Sequence, residues 1–308
     1  MIPRSINNNR FISPVINSYI QQNIDLFYQD SNDTITIYTS KKEKNLDNAI
    51  SIYERVSSLA KPQIDKIKCY LFLIDIPKEI DVSKDNITSA ECNTASTTFY
   101  FSENYIEVAL WRREEWRKVF YHELIHAFSI DTKISPEVSQ EIKLKVLFPH
   151  YNNSIREAYT EILATLLSKE TDNKDECIYL GSQVNKIIYF MESTPEERVQ
   201  LLQNSKADVS DKNGLERIDH FFKRPTNLLD PSTNTSSYYF LKSIYFWYGC
   251  YKEAKILEID NLLYKKYINS TFYKVILEAL ESGEYISWLQ SIYFKPTNTS
   301  MRLTYNSL

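Results

Sequence analysis

Residues 112–130 read RREEWRKVFYHELIHAFSI, and the reading of this stretch decides the rest. It contains neither Gly nor Pro, is rich in good helix formers and sets acidic residues in its opening turns, where the helix dipole favours them. The pattern predicts one continuous helix. Trp116, Val119, Phe120, Leu124, Ile125 and Phe128 place apolar side chains around most of its circumference. Such a helix belongs inside a folded body. The charges of residues 112–118 (RREEWRK) are expected to form a solvated helix start with i,i+4 pairs and to carry no function.

Upstream, residues 34–39 (TITIYT) alternate as a strand does, residues 46–59 carry apolar side chains near helical spacing, and residues 68–76 (KCYLFLIDI) read as a buried strand closed by Pro77. Residues 97–101 (TTFYF) and 106–110 (IEVAL), separated by a short polar turn, read as a hairpin. Downstream of Pro136 the pattern is mostly helical, with helices expected at 155–169, 174–191, 195–203, 215–222, 236–257 and, with breaks, 260–289. The expectation is an α+β fold with a mixed sheet. Residues 1–30 would form an N-terminal extension, 31–135 an α/β lobe with the 112–130 helix, and 136–308 a mainly helical lobe.

Composition narrows the function. Lys and Arg number 36 against 40 Asp and Glu, which lacks the basic excess that a phosphate backbone attracts, so nucleic acid is not an expected partner. Cys69, Cys92, Cys177 and Cys250 are widely spaced without a CxxC pair and read as ordinary thiols in a reducing compartment. No stretch reaches the ~18 uncharged apolar residues of a membrane span, and residues 1–23 show no signal-peptide core. The chain, rich in Asn, Ile, Lys and Tyr with 4 Gly, is similar in composition to proteins of large DNA viruses or AT-rich protists, so a cytoplasmic or virion-associated place is expected.

The helix carries His122-Glu123-Leu124-Ile125-His126. Residues four apart share a helical face, so both imidazoles can reach one ion, while Glu123 stands beside them as a base without being a ligand. Two surface histidines and a solvated Glu would use the same letters, but two unpartnered imidazoles on a buried helix are costly. A catalytic zinc takes three protein ligands and keeps one open position. Residues 155–169 (IREAYTEILATLLSK) form a helix with Glu157 and Glu161 one turn apart. Glu157 is the favoured third ligand, and Glu161 would then accept a hydrogen bond from the far nitrogen of a ligand imidazole, His122 first. Glu161 itself, His150 and Asp131 stay open as alternatives.

HELIH followed about thirty residues later by EAYTE (157–161) resembles the gluzincin group of zinc metallopeptidases. The metzincin extension is absent, because residues after His126 read AFSIDT, with neither its Gly nor its third His. The resemblance covers roughly residues 34–170. It implies a zincin-like fold in which a peptide or protein substrate docks on an antiparallel edge strand ahead of the active-site helix, Zn2+ as cofactor, and a Tyr or His that stabilises the oxyanion. His150 and Tyr151, before the Glu157 helix, and Tyr238 and Tyr239, later in the chain, are the candidates for that donor. The aromatic run 238–251 (YYFLKSIYFWYGCY) is expected mainly as a core helix, and His220 as no ligand. With zinc supplying Lewis acidity, Glu123 is placed to take the proton of the attacking water. The expected function is therefore a zinc-dependent peptidase, endopeptidase mildly favoured; the alternative is a zincin-fold structural or binding protein that holds zinc without relevant catalysis.

Overall fold

The computed structural model describes residues 2–7, 9, 12–41, 45–64, 66–81, 83, 89–137, 155–168, 172–194, 196–198, 214–223, 237–293, 296, 298 and 300. Five strands, β1 (Tyr28–Ser31), β2 (Ile35–Thr39), β3 (Lys66–Leu73), β4 (Ala95–Tyr100) and β5 (Tyr105–Leu110), pair in the order β1-β2-β3-β5-β4. β2, β3 and β5 run parallel, and the two edges, β1 and β4, are antiparallel to their neighbours. The fold is α+β with a mixed sheet. Parallel neighbours need a crossover, and helix α2 (Leu46–Ser57) supplies it between β2 and β3, burying Ala49, Ile52 and Val56. The earlier α1 (Pro14–Asn23) is capped by Ser13, whose hydroxyl accepts from the Ile16 amide. β4 turns into β5 through Asn104 at φ 49°, a left-handed position that Asn tolerates better than most residues.

Side chains alternate across the sheet as the pleat requires. Ile67, Cys69, Leu71, Ile106, Val108 and Leu110 face the large core. On the opposite face Phe72, Ile74, Ala109 and Trp111 meet Ile6, Ile12, Ile16 and Ile20, with Tyr38 stacked on Phe72 at 4.4 Å. The N-terminal residues thus close the second face of the sheet. Each of those four Ile side chains contributes about 1.5–3 kcal/mol by leaving water.

The central helix, α3 (Trp116–Ala127), is shorter than the 112–130 expected. Its start is set by tertiary bonds: the Arg113 amide donates to the Ile74 carbonyl at 2.9 Å, the Lys78 amide to Glu114 Oε2 at 2.7 Å, and Lys78 pairs with Glu115 fully out of solvent. Glu115 sits at φ 58°. The solvated charge cluster expected at residues 112–118 is therefore corrected, since Arg112, Glu115 and Lys118 are all buried. At the other end Ser129, at φ 54°, reverses the chain into a short 3-10 turn, Ile130–Lys133.

Beyond come α4 (Ile155–Ser168), α5 (Asn173–Glu192), α6 (Gly214–Lys223), α7 (Lys242–Tyr251), α8 (Lys265–Glu281) and α9 (Glu284–Ser291). One apolar core runs from β2 and β3 through α3 and α4 to α9. The aromatic run is built into it: Phe240, Leu241, Ile244, Tyr245 and Phe246 are fully buried. Of the helix expected at 195–203, residues 196–198 are helical and the remainder lies outside the described residues. Among the described residues no helix is long and apolar enough to cross a membrane.

Candidate metal centre

The helical spacing of α3 puts His122 and His126 on the face that α4 covers. Glu157, in the first turn of α4, points back between them. His122 Nε2 and His126 Nε2 lie 3.1 Å apart, and Glu157 Oε2 lies 3.3 Å from the first and 3.4 Å from the second. Three atoms each about 2.0–2.1 Å from one tetrahedral ion stand about 3.3 Å apart. The triangle has that size, and two imidazoles with one carboxylate are a donor set suited to zinc. Burial pushes the Glu157 carboxyl up, but the two imidazoles outweigh it and hold it well below the ordinary carboxylate range.

Both outer nitrogens end on carboxylates. His122 Nδ1 lies 2.9 Å from Glu161 Oε2, and His126 Nδ1 lies 3.0 Å from Asp131 Oδ2. A proton held on each Nδ1 would leave each Nε2 lone pair facing the point that Glu157 Oε2 also faces, which is how outer partners orient metal-binding histidines. Glu161 and Asp131, weighed as alternative third ligands, thus stand behind the imidazoles.

Glu161 is itself the hub of a buried ionic cluster. Its Oε1 accepts from Lys118 Nζ at 2.6 Å and from Lys242 Nζ at 3.4 Å, and Lys242 is also 3.4 Å from Glu176. Burial works to raise this carboxyl, and the two ammonium groups outweigh it, holding it far below its ordinary value. Neither lysine nor Glu176 was singled out from the sequence. A signal existed, because Lys118 lies one turn before His122 on the same face and Lys242 is the one charge within the aromatic run.

Glu123, 7 % exposed, borders the same cleft beside the triangle. The Thr97 hydroxyl donates to Glu123 Oε2 at 2.7 Å and to the Glu123 backbone carbonyl at 3.0 Å, tying the helix to the edge strand β4. Burial raises the Glu123 carboxyl; the two imidazoles and Thr97 pull the other way without reversing it.

The candidate tyrosines separate. Tyr238 donates its hydroxyl to Glu157 Oε2 at 3.2 Å and sets its ring edge-on to His122 at 5.8 Å. Tyr239 is 1 % exposed and does not line the cleft. Ser237–Leu241 is a single π-helical turn, in which neighbouring side chains point in different directions, and Tyr238 is the one of the pair that faces the site. Of the two candidates, Tyr238 lines the cleft and Tyr239, expected there as a donor, is packed in the core instead. Tyr151 and His150 lie outside the described residues. His220 pairs with Glu192 at 2.6 Å, away from the cleft.

The cleft, about 310 Å³, runs along β4, with Ala95, Ser96, Thr97 and Phe99 on one wall and His122, Glu123 and His126 on its floor. Compared with known proteins, the chain matches no protein family, no curated protein and no solved structure.

Proposed function

We propose that this chain is a zinc-dependent peptidase with a zincin-like site of the gluzincin type, taking peptide or protein substrates and favouring cleavage within the chain. The observation that carries the reading is the triangle of His122 Nε2, His126 Nε2 and Glu157 Oε2, with sides of 3.1–3.4 Å, beside a carboxylate that is not part of it. When bound, zinc would supply Lewis acidity to water and to the substrate carbonyl.

The residues of the chain do the rest. Glu123 accepts the proton of the attacking water and returns it to the departing amine, held in line by Thr97. Its pKa, raised by burial, suits that exchange, since a carboxylate lifted above its ordinary range holds a proton more readily between taking and giving it. Tyr238 aims a hydroxyl at the space beside Glu157, where it can donate to the carbonyl oxygen as negative charge develops. Among the described residues β4 is an edge strand, and its free edge offers backbone groups to an extended peptide.

The test compares wild type, Glu123→Gln and His126→Ala for zinc per chain and for cleavage of a mixed peptide library. Glu123→Gln is expected to keep the metal and lose cleavage, and His126→Ala to lose both. Undiminished cleavage by Glu123→Gln would end the peptidase reading.

A further inference from the structure

Arg156, the residue before Glu157, lines the cleft close to His126. Its Nε and Nη2 both donate to Asp131 Oδ2, at 3.1 and 2.6 Å. Asp131 is 1 % exposed and also receives His126 Nδ1, so the guanidinium is anchored to a carboxylate that cannot move without moving the histidine. Yet 54 % of the Arg156 side chain remains open to solvent, and among the described residues Nη1 has no partner. The carboxylates that line the cleft are engaged elsewhere: Glu123 with Thr97, Glu157 with the imidazoles and Tyr238, Glu161 with Lys118 and Lys242.

An arginine needed only to neutralise Asp131 would not have to turn an open edge into a substrate cleft. A guanidinium held flat by one carboxylate keeps a second donor edge fixed in space, which is the arrangement that grips another carboxylate with little loss of side-chain freedom.

Resting on the peptidase reading above, we propose that Arg156 forms a carboxylate-binding subsite, so that the preferred substrates carry an acidic group close to the bond that is cut. Only the Asp131 carboxylate separates the guanidinium from the His126 ring. At roughly 3.3–3.6 Å per extended residue, the acidic group falls within about two residues of the scissile bond. It is an Asp or Glu side chain or the terminal carboxylate of the peptide.

The test uses the zinc-loaded full chain and two sets of peptides. One set is blocked at both ends and carries an internal Asp or Glu, each matched to its Asn or Gln twin. The other is neutral inside and ends in a free carboxylate or its amide. Wild type is expected to show kcat/KM about 10-fold or more higher for the carboxylate member of one set, carried mainly by KM. Arg156→Gln should bring that ratio near one, Arg156→Lys should keep part of it, and Arg156→Glu should turn it in favour of the neutral twin. Whichever set responds names the source of the carboxylate. Circular dichroism and zinc per chain accompany each variant, and the Lys and Gln variants carry the test if the Glu variant does not fold.

Binding of the same peptides to Glu123→Gln, with and without Arg156→Gln, separates the two readings. Cleavage by wild type without a carboxylate preference overturns this inference and leaves the peptidase. Absent cleavage, with carboxylate binding that Arg156→Gln removes, overturns the peptidase and leaves the subsite. Absence of both overturns both.

Discussion

Glu161 Oε2 lies 2.9 Å from His122 Nδ1, and the same carboxylate is buried against two ammonium groups, so His122 is oriented by an ionic cluster and not by a lone acid. On the zinc reading proposed above, that would couple metal retention to fold stability at one residue. Removing one partner of a buried ion pair typically costs 3–5 kcal/mol, because the other charge is left without compensation.

Glu161→Ala is therefore expected to weaken zinc retention about 10- to 100-fold and also to lower the melting temperature of the metal-free protein. Glu157→Ala should weaken zinc retention more and the metal-free fold less. Zinc titration and thermal unfolding in chelator check the pair, and the opposite ranking in zinc would exchange the roles of the two acids.

The cluster also sets a pH dependence. A carboxyl whose folded pKa lies below its unfolded value, near 4.3 for Glu, adds stability above that value and gives it up as the pH falls. Glu161 is held low against burial by Lys118 and Lys242. In metal-free protein the melting temperature of wild type should exceed that of Glu161→Gln at pH 6 to 7, and the gap should narrow in acid. A gap that holds constant down to pH 3 would mean the carboxylate is not stabilised in the fold.

Tyr238→Phe should lower kcat by about 100- to 1,000-fold, the usual effect of removing one oxyanion donor, while zinc per chain stays the same. Tyr239→Phe should leave kcat within about 2-fold, as expected of a buried side chain that does not line the cleft. Steady-state kinetics on one peptide decides between the neighbours.

Thr97→Val removes a hydrogen bond that favours the charged form of Glu123. Burial already raises this carboxyl, so the acidic limb of the kcat/KM profile, where the base becomes protonated, should move to higher pH. An unmoved limb would dissociate Glu123 from that ionisation.

The parts of this molecule that periodicity governs were legible in the residues. The apolar run of β3, the hairpin of β4 and β5 and the four-residue spacing of His122 and His126 each follow from a local repeat. What escaped depends on contacts distant in sequence. β1 is fully exposed and polar, YQDS, so nothing in its own letters marks it as an edge strand. The start of α3 is displaced by bonds from Ile74 and Lys78, some forty residues upstream. The covering of the sheet by Ile6, Ile12, Ile16 and Ile20 needed the partner face of β3 and β5 to be known. At the site, the choice between Tyr238 and Tyr239 turned on the phase of one helical turn, and Thr97, Lys118 and Arg156 acquire roles only when β4 and α4 are laid against α3.

Zinc K-edge absorption of the loaded protein tests the centre most directly, measured together with zinc per chain. The expected result is one zinc per chain in a shell of nitrogen and oxygen at about 2.0–2.1 Å with the outer-shell signature of two imidazoles, lost in His126→Ala and in Glu157→Ala. A sulfur shell, or one zinc per chain retained by both variants, would contradict a centre built from His122, His126 and Glu157.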